Sequence, residues 1–112
     1  MAKRRTSVRP QVSDALAVLG QLVKSARTQR TLTIAELAVQ AGVAPRTIMA
    51  IEAGAPGTAA ATLFNVADLV GVPLFGVDDR FELARMRRRG EETLALLPSR
   101  VRNTRGEPDD NL

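Results

Sequence analysis

The stretch Thr33–Gly54, TIAELAVQAGVAPRTIMAIEAG, decides the fold. Thr33 and Glu36 have the spacing of a capping box, which predicts a helix that begins directly after Thr33. Gly42 lies where a helix commonly ends in a left-handed residue. Pro45 suits the first position of a following helix, because its missing N–H costs nothing there. The stretch therefore predicts two short helices joined by a tight turn.

Helical spacing of apolar residues predicts three more helices around this pair. They cover about residues 14–29, capped by Ser13, about 58–70, closed by Gly71, and about 79–97, where the charged run around Gly90 allows a break. We accordingly divide the sequence into four parts. Residues 1–12 form a flexible basic arm and residues 13–76 the main domain. Residues 77–102 form a C-terminal helix with a contact segment, and residues 103–112 a disordered tail.

The composition favours helices and argues against several kinds of chemistry. Apolar residues make up 45% of the 112 residues but aromatic residues only 3%, so the core must be aliphatic, and its Ala and Leu favour helix. The chain has no Cys and no His, which removes the usual metal ligands and His-based catalysis. We therefore expect no enzyme activity, no metal and no cofactor. No apolar run reaches the roughly 18–20 residues of a membrane span, so we expect a cytoplasmic protein without membrane contact.

Basic residues concentrate at the start of the chain. Residues 1–30 carry seven basic residues and one acidic residue, a net charge of +6, whereas residues 31–79 carry −4 and residues 80–112 carry +2. A basic segment favours a polyanionic partner, because lysine and arginine near phosphates release counterions. The same charges suit a solvated terminus, and charge alone does not decide between the two interpretations.

Two short helices joined by a turn that contains glycine form a helix-turn-helix, which we place at residues 33–53. Ala38 is small enough for the second helix of the pair to pass close to it. The motif presents this helix outward on a rigid support, and an α-helix fits the major groove of DNA with its first residues at the base edges. We therefore expect the motif to bind double-stranded DNA.

The sequence resembles the XRE family of helix-turn-helix proteins, the class of the phage repressors. The resemblance covers about residues 16–76 and rests on positions that agree in register: Leu22, Arg27, Leu32, Thr33, Glu36–Ala38, Ala41–Val43, Thr47, Ile48 and Ile51–Gly54. It implies an all-α, five-helix, lambda-repressor-like DNA-binding domain with a flexible basic N-terminal arm and a C-terminal tail.

The resemblance also implies roles for single residues. Arg27 and Glu52 match a partly buried pair that joins the first and third helices and turns Arg27 towards a phosphate, with a purely internal salt bridge as the competing interpretation. Arg46 matches the base-reading start of the third helix, where it can contact guanine, a phosphate or solvent. The implied DNA-binding residues are Lys24, Arg27, Thr33, Pro45, Arg46, Thr47, Met49 and Ala50, supported by Gly42 and Glu52.

The stretch departs from the family pattern at several positions. Ile34 stands where the family often has glutamine, and its side chain cannot donate to a phosphate. Pro45, Met49 and Ala50 are less polar than usual, which predicts sparse base contacts and a larger share for phosphates. The basic arm Lys3–Arg5 could add a minor-groove contact, although a solubility tail is the interpretation we favour.

The C-terminal segment is expected to contact a second copy or a partner. One helix reads too few base pairs, so we expect a homodimer on half-sites roughly 34 Å apart. The segment Leu94–Arg102, LALLPSRVR, and the loop Glu52–Gly57 resemble HipB-like antitoxins. That resemblance implies a HipA-like kinase toxin as partner and repression of the chain's own operon. In the competing interpretation, Leu94, Leu96 and Leu97 close the core.

Three functions are compatible with the sequence. A sequence-specific DNA-binding repressor that serves as an antitoxin is favoured by the motif, the basic first helix and the lack of recognisable catalytic residues. A stand-alone phage-type transcriptional regulator without a toxin partner differs only in what its C-terminal segment binds. A protein-interaction module that has lost DNA binding would account for the acidic middle of the chain.

Overall fold

The computed structural model describes residues 7–100. Within them the chain forms five α-helices, and its β-structure is one isolated bridge. The helices are α1 (Pro10–Gln29), α2 (Ile34–Ala41), α3 (Pro45–Glu52), α4 (Ala60–Leu69) and α5 (Arg80–Ala95). The predicted all-α, lambda-repressor-like fold is confirmed. The arm residues Lys3–Arg5 and the tail predicted over residues 103–112 lie outside the described residues.

The start of α1 differs from the prediction, because the helix begins at Pro10 and not after Ser13. Arg9 is extended (φ −67°, ψ 148°), and its carbonyl accepts a hydrogen bond of 2.9 Å from the Ser13 N–H. A residue before proline is pushed out of the helical conformation, whereas proline itself is preset for a first turn. These effects outweigh Ser13 as a cap, so α1 includes the last residues of the arm predicted over 1–12.

The helix pair α2 and α3 forms as predicted. Thr33 Oγ1 accepts from the Glu36 N–H at 3.0 Å, and a Glu36 carboxylate oxygen accepts from the Thr33 N–H at 2.8 Å, so the capping box is complete. Gly42 is left-handed (φ 71°), and the N–H of Val43 donates to the Ala38 carbonyl at 3.0 Å. The turn therefore satisfies a carbonyl that the end of α2 would otherwise leave unpaired.

The two ends of α4 depend on glycine and on α1. The helix begins at Ala60, later than the predicted Thr58, because Ala59 has a non-helical backbone (φ −58°, ψ 141°). At the other end Gly71 is left-handed, as expected (φ 83°). Arg30, just beyond α1, donates to the last helical carbonyl of α4 at 3.0 Å. This hydrogen bond ties the two helices together at that end.

The chain divides into two compact units, Met1–Asp78 and Asp79–Leu112. The core of the first unit is aliphatic, as predicted, and draws on all four of its helices: Val23, Leu37, Ala38, Ile48, Ile51, Val66, Ala67, Val70 and Val72. Fully burying one Val, Leu or Ile side chain contributes about 1.5–3 kcal/mol. The two isoleucines fix the inner face of α3 and leave its outer face free.

The helix α1 passes very close to the end of α3 at Gly20. A methyl group on Gly20 would meet the backbone carbonyl oxygens of Ile51 and Glu52, the latter at 2.8 Å. Gly54, which is left-handed (φ 73°), lies equally close to the backbone of Ala17. Only residues without a side chain permit both approaches.

The helix α5 in the second unit is continuous through Gly90, so the break that the sequence allowed there does not occur. Asp79 caps its start. Its charged middle forms three ion pairs, two of them at the i,i+3 or i,i+4 spacing that supports a helix: Glu82–Arg85 at 2.7 Å, Arg87–Glu91 at 2.7 Å and Glu82–Arg89 at 3.2 Å. The hydrogen bond from Arg85, followed by that from Arg89, lowers the pKa of Glu82.

The leucines at the end of α5 do not close a core. None of the residues of α5 is buried, and the exposed fractions of Leu94, Leu96 and Leu97 are 66%, 87% and 56%. The charged run over residues 85–92 interrupts any apolar face on which these leucines could be buried together. The interpretation that assigned them to the core is wrong.

Within residues 7–100, no single helix is long and apolar enough to cross a membrane. Helices α2 and α3 reach the necessary length and composition only when taken together, and they bend by 108° at the turn between them. In the same part of the chain, no group of three or more His, Cys, Asp or Glu residues could hold a metal ion.

Replacing Gly20 with Ala should destabilise the first unit, although alanine is the better helix former by about 1 kcal/mol. The added methyl group must displace the backbone of α3, and overpacking of this kind costs about 1–3 kcal/mol. Gly90→Ala is the matched control, because a methyl group there meets nothing within 4 Å and only the gain in helix propensity acts. Urea unfolding followed by circular dichroism measures both variants. A Gly20→Ala protein as stable as the wild type would contradict the close approach.

Candidate nucleic-acid interface

The helices α2 and α3 cross at 108°, an angle typical of a helix-turn-helix. Ala38 of α2 is 1% exposed, and Leu37 and Ile48 are fully buried between the helices and the core. Because α3 is held by its inner face, its outer face can be presented to a partner without a change in the packing.

The start of α2 offers less to an anion than its position suggests. The capping box uses the Glu36 N–H, so the first turn retains the amides of Ile34 and Ala35 as free donors. The Glu36 carboxylate also places a negative charge at this helix end. Thr33 is exposed, and its hydroxyl can still donate. The phosphate contact predicted for Thr33 would therefore depend on few donors.

Arg27 connects three segments of the first unit. Its Nε and Nη2 donate to the two carboxylate oxygens of Glu52 at 2.6 and 3.1 Å, and its Nη1 donates to the Leu32 carbonyl at 2.8 Å. The Arg27 and Glu52 side chains are only 12% and 7% exposed. The hydrogen bond with Glu52 raises the pKa of Arg27, so the guanidinium stays charged. The structure thus contains the internal pair, while a contact from Arg27 to a phosphate stays a prediction.

The outer face of α3 carries the residues predicted to read bases. Pro45 and Arg46 are exposed, Met49 is 56% exposed, and Thr47 and Ala50 are half-buried. Arg46 is the charged side chain of this face, and the other four offer a single hydroxyl and mainly apolar surface. The outer face therefore suits one polar base contact surrounded by shape and methyl contacts.

An open groove of about 640 Å³ runs along this face of α3. It brings together three predicted residues, Arg46, Thr47 and Ala50, with the loop before α4 and the first turn of α4. Its lining consists of Val43, Arg46, Thr47, Ala50, Pro56, Gly57, Thr58, Ala59 and Thr62. Pro45 and Met49 flank the groove without lining it, and Lys24, Arg27 and Thr33 lie outside it.

Sequence reasoning missed two hydroxyl groups in this groove, those of Thr58 and Thr62. The caps of α3 and α4, Ala44 and Ala59, make no side-chain capping hydrogen bond. Pro45 has no N–H and the Thr47 N–H donates to the Ala44 carbonyl, so the free amides lie mainly at the start of α4, where they can meet an anion. The sequence signal that could have predicted this anion contact at the start of α4 is a threonine next to a helix start that lacks a polar cap.

Comparison with known families agrees with this geometry. Residues 23–77 match a protein-family model described as Helix-turn-helix. The match begins within α1, ends after the turn that follows α4 and covers just under half of the chain. This model represents the XRE type of helix-turn-helix, a DNA-binding regulator domain, and so supports the family resemblance. Comparisons with curated proteins and with solved structures gave no significant match, so they add no support for the likeness to HipB-like antitoxins.

The matched segment is nearly neutral. It contains four basic and three acidic residues, and the Arg27–Glu52 pair uses one of each. Lys24 is exposed on α1, one turn before Arg27. Because few cations are free to replace counterions, the attraction to a phosphate backbone depends on short contacts along the groove.

Substituting Glu52 with Gln should destabilise the first unit strongly, because the charge of Arg27 is then left uncompensated. Breaking a fully buried ion pair in this way costs about 3–5 kcal/mol, and this partly buried pair should lose less than that but more than an exposed pair. Glu91→Gln is the control, since it breaks an Arg–Glu pair of 2.7 Å in which both side chains are 62% exposed. Exposed pairs contribute at most about 1 kcal/mol. The free energies of unfolding in urea compare the two, and equally small losses would contradict a structural role for Arg27.

Proposed function

We propose that the chain, whose residues 23–77 form a helix-turn-helix domain of the XRE type, is a sequence-specific transcriptional repressor. The observation that carries the proposal is the groove along the outer face of α3, where Arg46 and Thr47 stand beside the uncapped start of α4. A helix presented in this way fits the major groove, with its first residues at the base edges.

The proposed binding mode assigns different tasks to the two sides of the groove. Arg46 donates two hydrogen bonds to guanine, and Thr47 with Ala50 contacts the neighbouring base edges. Thr58, Thr62 and the free amides at the start of α4 bind a phosphate on the flank of the groove. Lys24 and Thr33 add further phosphate contacts from α1 and from the start of α2.

The proposed repressor acts as a homodimer. The outer face of α3 is short and reaches only a few base pairs, so useful specificity requires a second copy on a neighbouring half-site. Two-fold symmetry then places the half-sites roughly 34 Å apart, one turn of the duplex.

We further propose that the repressor is the antitoxin of a HipA-like kinase toxin and controls their shared operon. Two features support this role: the likeness of Leu94–Arg102 to HipB-like tails, and the exposure of Leu94 and Leu96 at the end of α5. Exposed leucines beside a basic segment suit contact with another protein. Val101 and Arg102 lie outside the described residues.

Arg46→Ala should lower the affinity for the operator by about 5- to 150-fold, the loss of one bidentate base contact. Affinity for unrelated duplexes should fall much less. The probe is the DNA upstream of the chain's own gene, titrated by fluorescence anisotropy at two salt concentrations. Arg88→Ala, which removes an exposed arginine of α5, should change neither affinity. Unchanged operator binding by Arg46→Ala would contradict base reading by Arg46. A wild-type protein without salt-sensitive binding to this DNA would favour an interaction module that has lost DNA binding.

Leu96→Asp should abolish binding to the protein encoded beside this gene while leaving DNA binding intact. The substitution places a charge at a residue that is 87% exposed, so the fold should tolerate it. Thr93→Asp adds the same charge to an exposed position of α5 and is the control. Co-purification from cells that express both genes is the measurement. If the adjacent gene encodes no kinase, or the complex survives Leu96→Asp, the stand-alone regulator is the better assignment.

A further inference from the structure

The phenylalanines of this chain all lie at the surface. Phe64, Phe75 and Phe81 are 40%, 72% and 68% exposed, whereas the core consists of aliphatic side chains. Aromatic side chains are enriched in the buried centres of interfaces between proteins. Their position outside a complete core therefore calls for an explanation.

Phe75 also occupies a backbone position that disfavours it. It lies in a tight turn in which the Val77 N–H donates to the Leu74 carbonyl at 3.0 Å. Both central residues of this turn are left-handed, with φ 55° at Phe75 and φ 72° at Gly76. Turns of this kind take Asn, Asp or Gly at these positions, and a bulky side chain is strained there. Neither burial nor local conformation accounts for a phenylalanine at residue 75.

Phe75 forms an aromatic patch with Phe64, and these two residues define the patch. Their ring centroids are 5.9 Å apart at an interplanar angle of 65°, an edge-to-face contact. Thr62, which lines the groove, is two residues before Phe64 on α4 and therefore points to roughly the opposite side of the helix. The aromatic patch is thus on the same unit as the DNA-binding surface but does not compete with it.

We infer that the aromatic patch is the contact between two copies of the chain on neighbouring half-sites; this inference rests on the proposed function. The small size of the aromatic patch favours a second copy of the chain as the molecule that covers it. One aromatic side chain buries about 150–250 Å², so two partly exposed rings fall far short of the roughly 800 Å² per partner of a stable complex. A contact so small does not hold a free partner, but it does hold a copy that DNA already places beside it at high effective concentration.

The chemistry of the patch also suits a second copy. A contact across a two-fold axis places the same residues on both sides, so it must be complementary to itself. Aromatic rings meet this condition, because the edge of one ring attracts the face of another. The tight turn at Phe75 leaves its ring 72% exposed, where a second copy can approach it.

The decisive variant is Phe75→Asn, because asparagine tolerates a positive φ while it removes the ring. The probe is a duplex selected from random sequences by the wild-type protein, used whole and cut to one half-site. We expect affinity for the whole duplex to fall about tenfold and affinity for the half-site to stay unchanged. The melting temperature should stay the same or rise by a few degrees. Phe81→Asn, which alters an exposed phenylalanine outside the patch, should change neither affinity.

A second measurement uses the absence of cysteine from the chain. With Phe75→Cys as its only thiol, the protein should form a disulfide-linked dimer on the whole duplex under mild oxidation, and none on the half-site. Phe81→Cys should form none on either probe. A cross-linked pair identifies the occupant of the patch as a second copy.

The outcomes separate this inference from the proposed function. If selection enriches no duplex, the proposed function fails. If the wild type binds the whole duplex cooperatively and Phe75→Asn does so equally well, the inference alone fails. A melting temperature lowered by several degrees, with equal losses on both probes, would make Phe75 a structural residue and would also overturn the inference.

Discussion

The close crossing of α1 over the end of α3 is the constraint on which the rest of the structure depends. Gly20 lets the two backbones approach, and Arg27 bridges the same junction to Glu52 and to the Leu32 carbonyl. One guanidinium therefore holds α1, the loop before α2 and the end of α3 in fixed positions. Without this junction, a helix as short as α3 would depend on two buried isoleucines, and isolated helices of its length are unstable in water.

The junction also separates the part of α3 that is held from the part that is free to read DNA. Ile51 and Glu52 anchor its end, whereas Arg46 and Thr47 stand at its start, beside the loop before α4. The exposed side chain of Arg46 at the start of α3 is therefore not part of the core, although Ile48 on the inner face of the same turn is. The outer face of α3 carries few polar groups, so the proposed recognition of DNA relies on two-fold symmetry and phosphate contacts more than on many base contacts.

Short-range signals predicted the centre of the fold, because a capping box or a left-handed glycine acts within a few residues. The Arg27–Glu52 pair spans 25 positions and was found only through the family resemblance. The start of α1 was predicted wrongly because two local preferences compete there. Pro10 suits the first turn of a helix, whereas Ser13 suits the cap before one. Thr62 was missed for a different reason: its place in the groove depends on how α4 packs against α2, which no local pattern contains.

The apolar residues of the described chain fall into a buried set and an exposed set. Nine aliphatic and alanine side chains form the core of the first unit, and neither the aromatic patch nor the exposed Leu94, Leu96 and Leu97 belong to it. Exposed apolar groups carry a risk of aggregation, and a small basic protein has little reason to keep them without a partner. The groove, the aromatic patch and the end of α5 use different residues. The proposed contacts with DNA, with a second copy and with another protein would therefore use separate sets of residues.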